Sequence, residues 1–292
     1  MNKTIANIIG IILAIAVGTG IAFAGGQGSV QVLGLPLFML LVIGAYLIQW
    51  VVFIFAYLGK SERFFDLTGS LTYITLATAA VLLIPNIDRR AVLLLVVVVV
   101  WATRLGTFLF ARVLKQGKDD RFDEIKVNFT SFLLTWTLQG LWVTFTAAAA
   151  FAAITATNQR ELGWPALIGF LVWAFGYFFE LIADAQKNAF RGNPANKDAF
   201  IHTGLWAWSR HPNYFGEIVL WLGVAIIALP VLRGWALVTL ISPLWVIIQL
   251  TLISGVPMLE KKADQKWGGQ EGYENYKANT PVLIPRPPSK RK

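Results

Sequence analysis

The sequence predicts an all-α integral membrane protein with about eight transmembrane helices, and two observations support this fold class. Of the 292 residues, 56% are hydrophobic and only 14% are charged, whereas soluble domains carry about 25% charged residues. Eight apolar stretches also approach the roughly 20 residues that a helix needs to cross a bilayer. They cover residues 4–24, 35–58, 67–84, 91–114, 129–156, 164–187, 213–230 and 234–256.

The distribution of basic residues predicts the orientation of these spans. An even number of spans places both termini on one side of the membrane, and most lysines and arginines fall in the loops on that side. Because basic residues are enriched on the cytoplasmic side, we expect cytoplasmic N and C termini. The opposite side carries only Arg89, Arg90, Arg160 and Arg233.

The domain organisation is predicted to be a single transmembrane domain over residues 1–292. Residues 1–60 add N-terminal helices, residues 61–285 form the core, and residues 286–292 form a basic tail that contacts anionic lipid headgroups. The first span ends in the small-residue sequence "AFA", as a cleavable signal peptide does. Its long apolar run favours an uncleaved first helix instead.

Composition excludes several kinds of site. The chain has no cysteine, so disulfides, thiolate metal sites and iron–sulfur clusters are excluded. Its two histidines, His202 and His211, are too few for a typical metal centre, and we predict no metal site. Redox chemistry would therefore need a dissociable organic cofactor. The net charge of +9 lies along one side of the membrane, which favours lipid over nucleic acid as a partner.

Arg104 lies deep within the fourth span. It is about ten residues from the cytoplasmic end of the helix, or ~15 Å at 1.5 Å per residue. An ionisable group at that depth costs at least ~2.5–3.5 kcal/mol, so it should face the bundle interior. There it would pair with a carboxylate for packing or contact a ligand.

Two carboxylates lie near the cytoplasmic end of the sixth span. Glu180 and Asp184 are one helical turn apart on one face, and Arg191 continues that face. Like charges at this spacing repel, which favours hydrogen bonds from a bound group such as ribose hydroxyls. The alternative is a frayed, solvated helix end with Lys187 as the counter-ion.

The segment "GLWAWSRHPNYFGE" at residues 204–217 concentrates polar residues between two apolar stretches. Pro212 suits the first turn of a helix, so the seventh span should begin at 212–213. Arg210 and His211 then lie at a helix N-terminus, which favours phosphate.

Asn213 and Glu217 follow at positions i and i+4, so they share one face of the seventh helix. The neighbouring aromatic residues Trp206, Trp208 and Tyr214 fit an ordinary interfacial belt. The polar cluster itself predicts a ligand site.

Three segments together carry a family resemblance. "TGLWAWSRHPNYFGEIVLW", "ELIADAQKNAFRGNP" and "SGVPMLEKKADQKWGGQEGYENYKANTPVLIP" resemble the bacterial branch of the steroid 5-alpha-reductase superfamily, including its members known only as a domain of unknown function. The resemblance covers roughly residues 60–285. It implies that the C-terminal helices and cytosolic loops bind NADPH, that an apolar substrate enters from the bilayer, and that the protein lies in a bacterial inner membrane.

Positions matched to the family imply roles for individual residues. Asp184 and Arg191 match residues that hold the nucleotide part of NADPH, Asn213 and Glu217 match residues near the nicotinamide, and Tyr276 matches a tyrosine of the closing segment. Two departures stand out: relatives have Asn in place of Glu180, and a second family arginine falls near Ala199, with Lys197 close by. The predicted cofactor-binding residues are Glu180, Asp184, Arg191, Arg210, His211, Asn213, Glu217 and Tyr276.

The substrate end is predicted to contain Asp66, Tyr73 and Arg104. Steroid reductases bind a ketone oxygen with a glutamate and a tyrosine, and these three residues are the nearest candidates here. Hydride addition to a carbon–carbon double bond conjugated to a carbonyl builds negative charge on the oxygen, and a preorganised donor stabilises that charge. Asp66 would act as a proton donor only if burial kept it neutral.

Two other functions remain open at this point. Membrane methyltransferases that use S-adenosylmethionine to modify isoprenylcysteine or phospholipids share "RHPNYFG" and "YENYKANTPVLIP". Glu217 directly after "YFG" favours a reductase, as does Glu260 followed by Lys261 and Lys262 where those methyltransferases tend to carry two adjacent acids. A membrane carrier without enzymatic activity is the third possibility. The oligomeric state is left open.

Overall fold

The structure is a computed structural model that describes residues 2–117 and 122–288. Eight helical segments in the described chain are long and apolar enough to cross a membrane, so the predicted fold class is confirmed. Residues 289–292 of the predicted basic tail lie outside the described residues. The division into residues 1–60, 61–285 and 286–292 stays a prediction.

The helices follow the predicted apolar stretches closely. The seventh helix begins at Pro212, as its proline predicts. A two-stranded antiparallel hairpin lies between the first two helices and pairs Val32 with Leu35. The elements are α1 Lys3–Gly26, β1 Gln31–Val32, β2 Leu35–Pro36, α2 Leu37–Leu58, α3 Phe65–Leu83, α4 Arg89–Gln116, α5 Phe129–Thr155, α6 Trp164–Gly192, α7 Pro212–Ala228, α8 Ser242–Ile248, α9 Val256–Trp267 and α10 Glu271–Asn279.

The eighth span departs from the single apolar stretch predicted at 234–256. It begins as a 3-10 helix at Gly234–Ile241, continues as α8 and then widens into a π-helical turn at Gln249–Ile253. Pro243 and Pro257 lack the backbone N–H that a continuous helix needs, so each is accommodated only in the first turn of a new helix. The span therefore consists of short helical pieces, and α9 extends beyond it.

The chain packs into two compact units. The first comprises residues 1–167 and 224–242. Its central helix is α5, which packs against α1, α2, α3, α4 and the 3-10 helix. The alanine run at 147–150 is fully buried, and small side chains let neighbouring helices approach closely. Ser242 donates a hydrogen bond to the carbonyl of Thr146 within the same unit.

Three polar side chains buried inside the first unit form hydrogen bonds with neighbouring helices and loops. The Nε2 of Gln49 donates to the hydroxyl of Thr72 at 2.8 Å, and the Nε2 of Gln139 donates to the carbonyl of Phe65 at 3.0 Å. The guanidinium of Arg90 is buried and donates to the carbonyls of Ile227 at 2.6 Å and Glu161 at 3.0 Å. These bonds offset the desolvation cost of buried polar groups.

The second unit comprises residues 168–223 and 243–292. Within it, α6 and α7 approach so closely that their backbones touch. A Cβ atom at Gly176 would lie 2.4 Å from the backbone nitrogen of Leu220, and one at Gly216 would lie 2.6 Å from the nitrogen of Glu180. Only glycine fits at such distances, so these glycines fix how closely α7 packs against the helix that carries Glu180 and Asp184.

Candidate functional site

A cavity of about 640 Å³ lies in the second unit. This volume is within the range of small-molecule and cofactor sites. Its walls come from the C-terminal end of α6, the loops at residues 192–211, and helices α9 and α10. Lining residues include Lys187, Phe190, Arg191, Lys197, Phe200, Trp206, Arg210, His211, Glu260, Lys262, Lys266, Trp267, Tyr273 and Tyr276.

The loop at residues 204–211 is held against α6 by a tight turn. Gly204 adopts φ +61°, and a Cβ there would lie 2.6 Å from the side chain of Gln186, so glycine is required on both counts. The oxygen of Gln186 accepts the backbone N–H of Leu205 at 2.9 Å, and the indole of Trp206 donates to the carbonyl of Ala183 at 2.9 Å. These contacts place Trp206 in the cavity wall.

Trp206 forms a flat face of the cavity. It is buried, with 3% of its surface exposed, and the ammonium group of Lys187 lies 4.3 Å from its ring centroid. A cation over an indole face is a favourable arrangement. Trp206 is therefore part of the site and does not belong to an interfacial belt, whereas Trp208 is 41% exposed.

Glu260 connects the two residues that precede α7. The guanidinium of Arg210 donates to its Oε2 at 2.5 Å, and the Nε2 of His211 lies 2.8 Å from its Oε1. The ring of His211 stacks on Tyr214 with a centroid distance of 5.5 Å. These contacts fix the imidazole from two sides.

Burial lowers the pKa of His211, and the hydrogen bond to Glu260 only partly opposes this effect. The imidazole is therefore neutral at pH 7. In that form Nε2–H donates to Glu260 and Nδ1 is an acceptor. Nδ1 is buried and has no hydrogen-bond partner among the described residues.

Helices α9 and α10 form the opposite wall. The ammonium of Lys266 donates to the carbonyl of Lys197 at 2.9 Å, and the indole of Trp267 donates to the carbonyl of Asp198 at 2.7 Å. These two bonds join α9 to the loop that follows α6. They close one side of the cavity.

Two tyrosines of α10 complete this wall. The hydroxyl of Tyr276 donates to the carbonyl of Trp206 at 2.7 Å, and that of Tyr273 donates to Asp264 at 3.0 Å. Burial raises the pKa of Tyr276, and burial together with the bond to Asp264 raises that of Tyr273. Both phenols therefore stay neutral hydrogen-bond donors at physiological pH.

The cavity has a strongly basic lining. Its described residues include six lysines and arginines and one carboxylate, Glu260, which already accepts hydrogen bonds from Arg210 and His211. The remaining positive field, together with aromatic faces from Phe200, Trp206 and Tyr276, suits an anionic ligand that carries a flat ring.

The cavity brings together four of the residues predicted to bind a cofactor, namely Arg191, Arg210, His211 and Tyr276. Glu180 and Asp184 are buried on α6 but are not among the residues that line it. Asn213 and Glu217 are half-buried on α7 and are likewise absent from its lining. Their cofactor roles stay predictions.

The end of α6 differs from the frayed, solvated alternative. The helix continues to Gly192, and Glu180 and Asp184 have exposed fractions of only 3% and 8%. Two carboxylates so deeply buried need hydrogen-bonding or ionic stabilisation. The solvated-end interpretation does not fit this helix.

The predicted substrate residues lie in the first unit, on the packed pair α3 and α4. Asp66 forms an ion pair with Arg112, with 3.3 Å between the carboxylate oxygen and the guanidinium nitrogen. The buried ring of Tyr73 packs edge-on against that of Trp101, with 5.1 Å between the ring centroids. Arg104 is half-buried on α4. Protonating Asp66 would weaken its ion pair, so this environment suits a carboxylate better than a proton donor.

Several lining residues were not predicted from the sequence. They come from α9, α10 and the loop after α6. In α9, the pattern "EKKADQKW" indicates an amphipathic helix with three lysines. A basic face beside an aromatic residue is usually solvated, and only the fold turns it toward the cavity. The additional residues are Phe200, Trp206, Lys262, Lys266, Trp267 and Tyr273.

Comparisons with known proteins find partial similarity to two sterol reductases. The chain is 32% identical to the Delta(14)-sterol reductase TM7SF2 of Mus musculus over 93 residues, which cover 27% of this chain and 22% of the reductase. It is 32% identical to the Delta(14)-sterol reductase LBR of Gallus gallus over 94 residues, which cover 27% of this chain and 15% of that protein.

A methyltransferase is similar to the same extent. The probable O-methyltransferase ustE of Ustilaginoidea virens is 32% identical over 83 residues, which cover 28% of this chain and 29% of the methyltransferase. The matched segments thus span less than a third of these curated relatives. No solved structure matches the chain significantly.

A family model matches most of the chain, over residues 52–280. The match includes the whole lining of the cavity as well as α3, α4 and α5. The relatives that the chain matches in part include two Delta(14)-sterol reductases and a probable O-methyltransferase, and the chain itself belongs to the family described as "Protein of unknown function (DUF1295)".

Proposed function

We propose that the protein is an NADPH-dependent membrane reductase that transfers a hydride to the carbon–carbon double bond of an apolar, steroid- or lipid-like enone. The observation that carries the proposal is the basic, aromatic cavity of the second unit. The partial similarity to two sterol reductases supports the same reaction class.

The charge of the cavity favours NADPH over S-adenosylmethionine in this proposal. NADPH carries several phosphate charges, whereas S-adenosylmethionine carries a sulfonium cation. Six basic side chains against one carboxylate attract the first and repel the reactive group of the second. An adenine ring would also stack on the aromatic faces of the cavity.

The lining residues divide into two roles. Arg191, Lys197, Lys262 and Lys266 would hold phosphate groups through charge-assisted hydrogen bonds. The neutral His211 would accept a hydrogen bond from the ligand at Nδ1, which is otherwise buried without a partner among the described residues. All five of these residues line the cavity.

When bound, NADPH supplies a hydride to the β-carbon of the enone. Negative charge would develop on the substrate oxygen, and a proton taken from solvent water would add to the α-carbon to complete the reduction. Arg104 and Tyr73 would stabilise the enolate as a fixed cation and a neutral donor. Asp66 would hold Arg112 of α4 in place through their ion pair.

The proposal includes an orientation in the membrane. Both termini and the cavity face the cytoplasm of a bacterial cell, so that the charged cofactor enters from water. The apolar substrate enters from the bilayer. Because most lysines and arginines fall in the loops on this side, the positive-inside rule supports that orientation.

A second candidate is a membrane O-methyltransferase that uses S-adenosylmethionine. The similarity to the probable O-methyltransferase ustE favours it, because that match is as strong as the matches to the reductases. The basic lining counts against it. A carrier without enzymatic activity would not be stabilised by either cofactor.

A thermal-shift series of the detergent-purified protein with NADPH, NADH and S-adenosylmethionine separates these functions. A ligand at 100 times its Kd adds about 2.7 kcal/mol of stability, so NADPH should raise Tm clearly and S-adenosylmethionine should not. A shift with S-adenosylmethionine alone would replace the reductase proposal with the methyltransferase. If none of the three ligands changes Tm, the result would favour a carrier without enzymatic activity.

A single-turnover assay then tests the substrate end. With a steroid enone as the probe, Arg104→Gln should leave the NADPH shift unchanged and slow hydride transfer by about 10²-fold, the effect of losing one oxyanion donor. Thr103→Ala changes the exposed neighbour of Arg104 and is the matched control. An equal rate in both variants would contradict the role of Arg104.

A further inference from the structure

The C-terminal segment after α10 runs alongside the loop that precedes α7. The carbonyl of Pro281 accepts the backbone N–H of Arg210 at 2.9 Å, and the carbonyl of Val282 accepts that of His211 at 3.1 Å. The two residues that hold Glu260 in the cavity are therefore anchored through their backbone to a single short stretch of chain.

Further along the same stretch, the N–H of Arg286 donates to the carbonyl of Trp208 at 2.9 Å. Where the stretch begins, Tyr276 on α10 donates to the carbonyl of Trp206 at 2.7 Å. Residues 281–286 thus lie beside residues 208–211 over their whole length. We call residues 281–286 the strap.

Ser209 is the side chain that joins the strap to His211. Its hydroxyl is fully buried and donates to the carbonyl of Leu283 at 2.8 Å. The same oxygen accepts the backbone N–H of His211 at 3.1 Å. One hydroxyl therefore bonds to both the strap and the backbone of a cavity residue.

The backbone bonds determine where the His211 ring points. The ring reaches Glu260 at 2.8 Å on one side and stacks on Tyr214 on the other, and both contacts depend on the position of its backbone. Loss of the strap would free the N–H groups of Arg210 and His211 and let water reach them. The residues that line the cavity would then lose their fixed geometry.

We propose that the strap positions His211 within the cavity and that Ser209 is the positioning residue through which it does so. This inference deepens the proposed function, because it assigns the C-terminal segment a part in building the cofactor site. The strap itself need not touch the ligand.

The charged and titratable groups around His211 influence its pKa, which a titration would measure. They are Glu260 on α9, Lys187 on α6 and Arg210 in the loop, with Tyr214 of α7 against the ring. Burial is the largest influence on His211 and lowers its pKa. Displacing the ring toward water should therefore move its titration up, toward the ordinary value of about 6.5.

The chain has only two histidines, which makes this titration directly measurable. We would label the histidine rings with ¹³C and record NMR spectra in detergent micelles from pH 5 to 8, using His211→Gln to assign the signals. His202 is exposed and gives an internal reference. In Ser209→Ala, the His211 signal should titrate at higher pH than in the wild type. The His202 signal should be the same in the two proteins.

Matched variants separate the strap from its surroundings. Deletion of residues 281–292 should shift His211 as Ser209→Ala does, and deletion of residues 287–292, which leaves the strap intact, should not. Thr203→Ala removes an exposed hydroxyl from the same loop and should also leave the titration unchanged. If the longer deletion fails to fold, Ser209→Ala decides the question. An unaltered His211 titration in Ser209→Ala would overturn the proposal.

A binding measurement connects the strap to the cofactor. Ser209→Ala should weaken NADPH binding about tenfold, while deletion of residues 287–292 should leave it unchanged. If the wild type does not bind NADPH, the proposed function fails, but the histidine titration still decides whether the strap positions His211. A shifted titration with unchanged NADPH affinity would overturn the link to the cofactor site.

Discussion

At the scale of single residues, Glu260 determines how much positive charge the cavity offers a ligand. It accepts hydrogen bonds from both Arg210 and His211, so one cation is neutralised in place. Five further lysines and arginines line the cavity, and their positive charge would attract a bound anion. The contribution of each cation to the affinity should increase as its distance to the bound anion decreases.

Two adjacent lysines of α9 test this directly. Both side chains are exposed, but Lys262 is among the residues that line the cavity and Lys261 is not. Lys262→Met should weaken NADPH binding about tenfold, or about 1.4 kcal/mol, because it removes a cation that faces the phosphates. Lys261→Met is the control and should bind as the wild type does. Titration calorimetry measures both, and equal losses would indicate a nonspecific charge effect.

The buried imidazole gives a second prediction at this scale. Because burial lowers the pKa of His211, the unfolded chain binds a proton at higher pH than the folded protein does. Stability from the neutral ring is complete above about pH 6.5 and falls as the pH decreases below it. The Tm in detergent should therefore drop between pH 7 and pH 5.5.

Replacing each histidine in turn shows which of the two causes this decrease in Tm. His211→Gln removes the titrating group and should flatten the Tm profile over this range. His202→Gln changes an exposed ring and should retain the wild-type profile. A profile in His211→Gln as steep as in the wild type would assign the effect to other groups.

At the scale of helices, the contact between α6 and α7 is set by glycine. A Cβ at Gly176, Gly216 or Gly223 would lie 2.4–2.6 Å from backbone atoms of the facing helix. Backbone cannot move aside as a flexible side chain can. The position of Glu180, whose nitrogen lies at this contact, depends on keeping it free of side chains.

Gly216→Ala should therefore lower Tm, with a cost of about 1–3 kcal/mol from overpacking. It should also reduce the NADPH-induced shift if Glu180 belongs to the cofactor site. Gly20→Ala is the matched control, since a Cβ there meets nothing within 4 Å and alanine favours a helix by up to about 1 kcal/mol. A Gly216→Ala protein as stable as the wild type would show that α6 and α7 can separate without cost.

The helices are also where the sequence was most informative. Apolar stretches of the required length predict all eight spans, and Pro212 predicts the start of α7. The division of the eighth span into short segments was not predicted, because hydropathy does not distinguish a regular helix from consecutive 3-10, α and π segments. The part of α9 that lines the cavity was not predicted for a similar reason. Helical periodicity identifies a polar face but not what that face contacts.

The site residues show the same division. Arg191 was predicted from its helix face and from the family resemblance, Arg210 and His211 from the helix start at Pro212, and Tyr276 from the resemblance alone. All four line the cavity. The sequence also identified Glu180, Asp184, Asn213 and Glu217, whose shared faces follow from helical geometry but whose direction relative to a ligand does not. Trp206 was interpreted as an interfacial aromatic because composition alone cannot show that the loop folds inward.

At the scale of the whole molecule, the predicted orientation can be tested with single cysteines, because the natural chain has none. Leu33→Cys lies in the exposed hairpin turn, and Gln270→Cys lies in the exposed loop between α9 and α10. In intact spheroplasts, a membrane-impermeant maleimide should label the first and leave the second unlabelled until the membrane is permeabilised. The opposite pattern would place the cavity outside the cytoplasm.

The central position of α5 affects how the protein is assembled during synthesis. This helix is 89% buried in its most apolar window and has a hydropathy of 1.4, well below the 2.5 of α2. Its packing partners α1 to α4 precede it in the chain, so they are already available when it leaves the ribosome. The 3-10 segment that covers its remaining face is made almost 80 residues later. Until then, the face of α5 that contacts this segment lacks its partner, and a nascent chain stalled before residue 234 would offer that face to membrane quality-control proteases.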